Sequence, residues 1–230
     1  MHQCKYCKKT FVKESTLLSH ACEKKRRMMA EHDKPNRLAF NVWRKFLKYC
    51  TPNARKEKTY EDFVNSNVYT GFVKFARHVI DLNPHSVDDF VDFVIRNSVK
   101  LDDWTKIWVY EAWIREVSKK ESVDRAVERS VLLMKTWSER EQENWTDFFV
   151  RVNTNQAVHW IRTGRISPWV LFATDAGQAL VNRFNEEQLE LIVEYIEPKY
   201  WQFKVARQRE DSAWVQGVFN SAGIKTYDPV

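Results

Sequence analysis

Four residues near the N-terminus have the types and spacing of a metal site. Cys4 and Cys7 are separated by two residues, twelve residues follow before His20, and Cys22 stands two positions further on. A Cys-x2-Cys turn can place two thiolates on one Zn²⁺ ion, and twelve residues suit a short hairpin and a helix that return an imidazole to it. The sequence therefore predicts a zinc ion held by Cys4, Cys7, His20 and a fourth ligand.

Cys22 is the favoured fourth ligand, although its spacing is unusual. The five residues after it are Glu-Lys-Lys-Arg-Arg, which offer neither His nor Cys. Residues two positions apart on a helix do not share a face. A helix through His20 must therefore stop or distort there, so that Cys22 turns back to the metal. His2 and His32 remain weaker alternatives.

Phe11 and Leu17 are the two apolar side chains that so small a unit needs for a core, and folding is expected to be coupled to zinc binding. With the ligands, they make residues 2–27 resemble a divergent, CCHC variant of the Cys2His2-type zinc finger. The resemblance implies a ββα fold. It also implies that three exposed helix positions face nucleic acid, namely Lys13, Thr16 and Ser19. Of these, Lys13 can donate to guanine acceptors.

The charge of the chain is concentrated around this motif. Residues 1–58 hold 16 Lys and Arg against 5 Asp and Glu, whereas residues 59–230 hold 21 against 26. A basic arm on an acidic body indicates contact with nucleic acid, DNA rather than RNA. The run Lys24, Lys25, Arg26 and Arg27 is expected to contact phosphates, which position a protein without reading sequence. The body is expected to engage a protein partner.

Beyond the finger, the pattern predicts an all-α body. The expected division is a zinc finger with a basic extension at 1–27, a linker at 28–36 and a multi-helix body at 37–230. Helices are predicted at about 37–50, 60–82, 121–137, 185–197 and 200–221, with Ser167-Pro168 starting another. Cys50 lies on the apolar stripe of the first of these helices and is predicted to be a core residue. Trp104, Trp108 and Trp113 are likewise expected to lie in the core.

The remaining sequence carries little sign of catalysis. Five Gly among 230 residues, and no Gly-rich phosphate loop, argue against a nucleotide-binding enzyme. Two acidic groups suit a metal-dependent nuclease, namely Asp88, Asp89 and Asp92, and Asp102 and Asp103, but both groups also suit the start of a helix, where negative charge is favourable. A non-enzymatic role is therefore favoured, with a structural or assembly protein as the main alternative and a nuclease as the less favoured one.

Composition also bears on location. The sequence contains no run of about 18 apolar residues, so no membrane-spanning helix is predicted. The charged N-terminus lacks a secretory pattern, so the protein is expected to be intracellular. Its aromatic-rich, Gly-poor texture and single divergent finger are similar to accessory proteins of large tailed bacteriophages. That similarity implies a role around phage DNA, in transcription, replication or packaging.

Overall fold

The computed structural model describes residues 1–54 and 56–224. Within them the chain is helical, and the strands recorded there are two short ones at the N-terminus. This confirms the prediction of an all-α body preceded by a small ββ element. The chain divides into two compact units, which are described separately.

The first unit comprises Met1–Leu82 and Val87–Lys106. Its elements are β1 (His2–Gln3), β2 (Thr10–Phe11), α1 (Glu14–Ser19), α2 (Glu23–Met29), α3 (Lys34–Cys50), α4 (Tyr60–Val64), α5 (Tyr69–Leu82), α6 (Val87–Arg96) and a 3₁₀ turn at Leu101–Asp103.

Aromatic side chains from several helices build the core of this unit. Phe63 is fully buried, and its ring centroid lies 4.8 Å from that of Tyr69 and 5.2 Å from that of Trp43. Trp104 lies edge-on to Phe75 at 5.0 Å and donates its indole N–H to the Val99 carbonyl at 2.9 Å. Tilted and edge-to-face pairs of this kind add about 0.5–1.5 kcal/mol each beyond their buried area. These contacts hold α3, α4 and α5 together beside the N-terminal motif.

The second unit comprises Asn83–Ser86 and the chain from Ile107 onward. Its elements are α7 (Ile107–Lys120), α8 (Val123–Glu141), a 3₁₀ turn at Trp145–Asp147, α9 (Phe148–Arg151), α10 (Thr154–Arg162), α11 (Pro168–Ala173), α12 (Asp175–Val181), α13 (Glu186–Ile196), α14 (Pro198–Arg207) and α15 (Arg209–Ser221).

Capping residues start two helices of this unit as the sequence predicts. Ser167 accepts from the Trp169 N–H with Pro168 in the first turn of α11, an arrangement that suits a helix start. Asn185 and Gln188 form a reciprocal capping box at the start of α13. Around these helices Trp169 and Trp201 pack edge to face at 5.5 Å, both almost fully buried.

Two predicted helices are each broken in the structure. The segment 60–82 forms α4 and α5, because α4 ends at Val64 with Asn65 as its C-cap and the Ser66 hydroxyl donates to the Phe63 carbonyl at 2.7 Å. Such local side-chain bonds compete with the helical ladder. The segment 200–221 breaks at Gln208, where the Ser212 hydroxyl donates to the Val205 carbonyl.

Two predicted core positions are wrong, and one boundary differs. Cys50 is exposed at the end of α3, and Trp108 is 55 % exposed in the first turn of α7. Both lie near helix ends, where an apolar stripe need not meet a neighbour. Within the predicted linker 28–36, α3 already begins at Lys34, because Pro35 fits the first turn, where its missing N–H has no intrahelical partner.

Candidate metal centre

A short hairpin presents the first two cysteines. β1 and β2 pair antiparallel, with His2 opposite Phe11. Between them the Cys4 N–H donates to the Lys9 carbonyl, and the Lys8 N–H donates to the Cys4 carbonyl, both at 2.9 Å. Lys8 adopts a left-handed conformation with φ of 63°, which lets the chain turn tightly. The turn carries Cys4, which is buried, and Cys7, which is exposed.

Helix α1 brings His20 to this turn and then stops. It ends at Ser19, and His20 is extended, with φ of −70° and ψ of 116°. The His20 Nε2 atom lies 3.3 Å from the Cys7 Sγ atom. The imidazole also packs on Phe11, with ring centroids 4.7 Å apart. Phe11 and Leu17 are both half-buried, so the apolar contact beneath the cluster is small.

Cys22 turns back because the chain is extended between two helices. It has φ of −88° and ψ of 159°, and it is the N-cap residue of α2. Its Sγ atom accepts a hydrogen bond from the Lys25 backbone N–H at 3.3 Å. The predicted interruption of the helix near His20 is therefore confirmed, and it lets ligands only two residues apart face one point.

The four side chains converge on one small volume. The ligand atoms of Cys4, Cys7, His20 and Cys22 all lie within 4.8 Å of one another, so the group could hold a metal ion. A tetrahedral site with Zn–S bonds of ~2.3 Å and Zn–N bonds of ~2.0 Å separates its ligand atoms by roughly 3.3–3.8 Å. Small adjustments therefore suffice to close the group around a metal. Within residues 1–54 and 56–224 it is the one such group of three or more His, Cys, Asp or Glu.

The surroundings of Cys4 and Cys7 shift the pKa values of these two thiols in opposite directions. A hydrogen bond from the Cys7 backbone N–H is the main cause that lowers the pKa of Cys4 to about 7, which favours its thiolate. The Lys9 backbone N–H acts to lower the pKa of Cys7, but burial and the neighbouring Cys22 and Cys4 thiols outweigh it, so that pKa is raised. Since thiolates rather than thiols bind metals, Cys4 is better prepared than Cys7 to act as a sulfur ligand.

The two alternative histidines lie outside this group. His2 is in β1, and His32 is exposed in the turn after α2. Neither contributes an atom to the group formed by Cys4, Cys7, His20 and Cys22. The geometry thus favours Cys22 as the fourth ligand.

The three residues implied to face nucleic acid lie on exposed turns of α1. Lys13 is its N-cap residue, and Thr16 and Ser19 follow at intervals of three, which places all three along one side of a helix. All are exposed. The Ser19 hydroxyl bonds to the Ser15 and Thr16 carbonyls at 3.1 and 3.2 Å, so its proton is already engaged within the helix.

The basic run after Cys22 has intramolecular partners throughout. Lys24 lies 3.6 Å from the Glu61 carboxylate, and the Lys25 ammonium donates to the His20 carbonyl at 3.2 Å. Arg26 is paired with Glu23. These contacts reduce the charge that the run can offer to phosphates.

Arg27 makes more intramolecular contacts than the other three basic residues do. It bonds to Glu23 at 3.0 Å and to the Val64 carbonyl at 3.3 Å. Its guanidinium lies 4.4 Å from the Tyr69 ring centroid. Such a stacked and bonded guanidinium serves packing more than ligand contact.

Sequence reasoning missed other cations on the finger. Lys5, Lys8 and Lys9 are exposed on the turn that holds Cys4 and Cys7. Lys5 and Lys9 lie over the rings of Tyr6 and Phe11, at 5.0 and 5.9 Å from the centroids. Their positions in the sequence could have predicted this exposure, because residues between and just after the ligands of a Cys-x2-Cys turn point outward.

The carboxylates considered for a nuclease lie on α6 and in the 3₁₀ turn at Leu101–Asp103. Asp88 and Asp92 face the ammonium of Lys45, at 3.7 and 2.8 Å. Asp88 and Asp89 stand in the first turn, where carboxylates complement the helix dipole. Their contacts are those of a charged helix start.

Comparison of the chain with protein-family models, curated proteins and solved structures yielded no match. Among the described residues, no helix combines the length and apolar character needed to cross a membrane.

Proposed function

We propose that Cys4, Cys7, His20 and Cys22 bind one Zn²⁺ ion, and that the zinc-stabilised finger binds nucleic acid, DNA rather than RNA. The carrying observation is the convergence of three sulfurs and one imidazole nitrogen, a donor set that suits zinc. Bound zinc would supply structure rather than chemistry, since all four tetrahedral positions would be taken by protein. The protein is accordingly proposed to be non-enzymatic.

Nucleic acid is the proposed partner because the finger is basic and exposed. Lys5, Lys8, Lys9 and Lys13 surround the four ligands, and all are exposed. Lysines that neutralise phosphates release counterions, which drives binding and makes it depend on salt. Through Lys13 the finger would reach a base edge, and the neighbouring lysines would reach the backbone.

The test is a salt titration of binding to labelled duplex DNA, with zinc-loaded and chelated protein. The zinc-loaded protein is expected to bind with a steep salt dependence, and the chelated protein is expected to bind far more weakly. Lys13→Ala should cost about 1–3 kcal/mol on preferred sequences only. Lys199→Ala, at an exposed site in the other unit, is the control with equal charge loss. Equal affinity with and without zinc would refute a DNA-binding role for the finger.

A second candidate function is docking of the finger onto a protein. Val12 and Leu18 favour it, because they are 84 % and 74 % exposed beside and on α1. Apolar side chains exposed to this degree on so small a unit would lose contact with water if the finger docked onto a protein. Leu18→Asp should then abolish partner binding without changing zinc content, whereas DNA affinity should be unaffected.

A further inference from the structure

A basic cavity lies in the first unit, away from the four metal ligands. It has a volume of about 660 Å³, and its described lining comes from the C-terminal half of α3 and from residues within 51–54 and 56–58. Its charged lining comprises Arg44, Lys45, Lys48, Lys56, Glu57 and Lys58. Cavities of roughly 300–1,000 Å³ accommodate ligands the size of a nucleotide.

Two of these cations are already neutralised. Arg44 is paired with Glu57, and Lys45 lies 2.8 Å from the Asp92 carboxylate. These pairs leave little net charge for a ligand.

The other three cations are available. Lys48, Lys56 and Lys58 are exposed, and none of them forms an ion pair with a residue in the described part of the chain. The Thr59 N–H, which donates to the Asp62 carboxylate at 2.9 Å, is the main cause that lowers the pKa of Asp62, and the charges of Lys58 and Lys56 add to it although neither lysine forms an ion pair with this carboxylate. Lys48, Lys56 and Lys58 therefore present exposed ammonium groups on the lining of one concavity, and their positive charge would attract an anion.

The cavity also has an apolar side. Leu47, Pro52 and Ala54 contribute to its lining. An apolar surface beside cations suits a ligand that joins a sugar or base to phosphate. An inorganic anion would make no favourable contact with such a surface.

We propose that this cavity binds the phosphate groups of a nucleic-acid strand or of a free nucleotide through Lys48, Lys56 and Lys58. The site requires no metal and uses none of the finger residues. It would give the protein a second phosphate contact, so that its nucleic-acid affinity would partly survive the removal of zinc.

The experiment compares two triple variants of the full chain. One is Lys48→Ala/Lys56→Ala/Lys58→Ala. The other is Lys74→Ala/Lys100→Ala/Lys106→Ala, which removes equal charge from exposed positions of the same unit outside the cavity. All six lysines are exposed, so both variants should fold, and circular dichroism checks this. The probes are a labelled short single strand, a labelled duplex and a fluorescent ATP analogue, each with and without chelator.

At low salt, the cavity variant should bind the oligonucleotide probes or the ATP analogue about tenfold more weakly than the wild type does. For an oligonucleotide, the slope of log affinity against log salt concentration should also fall by about 2–3 units. The control variant should change binding and the salt slope much less, because its lysines lie outside the cavity and are not expected to contact phosphates. Loss confined to the oligonucleotides identifies a nucleic-acid backbone site, whereas loss of ATP binding identifies a nucleotide site. Equal behaviour of the two triple variants toward every probe would overturn the proposal.

The design separates this proposal from that for the finger. A Cys4→Ala variant removes the candidate metal centre and leaves the cavity lysines unchanged. If Cys4→Ala binds DNA normally and the cavity variant does not, the finger proposal fails and the cavity proposal stands. The reverse pattern overturns the cavity proposal alone.

Discussion

Cys22 connects the candidate metal centre to the helix that follows it. The same sulfur atom faces the other three ligands and accepts the hydrogen bond that caps α2. A metal-bound thiolate keeps its negative charge, which is favourable at the N-terminus of a helix. Metal binding and the start of α2 should therefore support each other.

Replacing Cys22 by Ala is expected to abolish stoichiometric zinc binding, because three ligands remain and the cap is lost. Metal analysis of the purified variant and the thiolate absorption of its cobalt form measure this. Cys50→Ala is the matched control, since Cys50 is an exposed cysteine that does not belong to the group. Retention of a tetrahedral cobalt spectrum by Cys22→Ala would assign the fourth ligand elsewhere, with His2→Ala and His32→Ala as the next variants.

His78 makes the stability of the first unit sensitive to acid. Burial is the main cause that lowers the pKa of this imidazole, although Asp81 acts in the opposite direction. Its Nε2 atom is buried without a hydrogen-bond partner among the described residues. The unfolded chain therefore takes up a proton at a higher pH than the folded chain does.

The free energy of unfolding should consequently fall as the pH drops below about 6.5, the ordinary pKa of histidine. Denaturant titrations across this range should show a smaller fall for His78→Gln than for the wild type. His32→Gln, at an exposed position, should follow the wild type. Parallel curves for all three proteins would show that His78 is not the titrating group.

At the scale of elements, α2 fastens the finger to its own unit. It packs against α4, where the Tyr60 hydroxyl donates to the Arg27 carbonyl at 2.9 Å. The Arg27 side chain reaches Val64 and Tyr69, as described above. The charges of α2 predicted contacts with phosphates, but one face of this helix packs against α4.

Arg26 and Arg27 form a matched pair for testing this role, because both pair with Glu23 and only Arg27 reaches α4 and α5. Arg27→Ala should lower the free energy of unfolding by about 1–2 kcal/mol, through the lost hydrogen bond and the lost cation–π contact. Arg26→Ala should change it by less than about 0.5 kcal/mol. Thermal or denaturant unfolding of both variants distinguishes them, and equal losses would contradict a special role for Arg27.

At the scale of the molecule, each unit has its own core. The aromatic cluster around Phe63 and Trp104 belongs to the first unit, and Trp169 with Trp201 belongs to the second. The candidate metal centre lies in the first unit and contacts its core through α2 and α4. Metal removal should therefore destabilise the first unit more than the second.

Chelation of the zinc-loaded protein should raise amide hydrogen exchange in α1, α2 and α4, because the cap and packing of α2 are weakened in turn. Helices α8, α10 and α11 should keep their protection. Addition of zinc should restore the original pattern. Unchanged exchange in α4 would show that the finger unfolds without affecting the helix it packs on, and a global rise would show that both units depend on the metal.

Interactions between residues close together in the sequence determined the ligand group, two helix starts and the helical character of the body. The types and spacing of Cys4, Cys7, His20 and Cys22 predicted the group of ligands and the break in the helix between the last two, because two-residue spacing cannot share a helical face. Ser167 and Asn185 predicted helix starts, since capping depends on residues only two or three positions away. The helical character of the body likewise follows from periodicity within each segment.

Contacts between distant residues were decided only by the tertiary structure. The carbonyl that Arg27 contacts belongs to Val64, 37 positions away, so no local pattern distinguishes this arginine from Arg26. Lys45 differs from Lys48 for the same reason, because its carboxylate partner is on α6. A cation that finds a partner supports packing, and one that finds none remains available to a ligand. Which of the two applies depends on where the chain brings its charges together, and this is a property of the folded molecule.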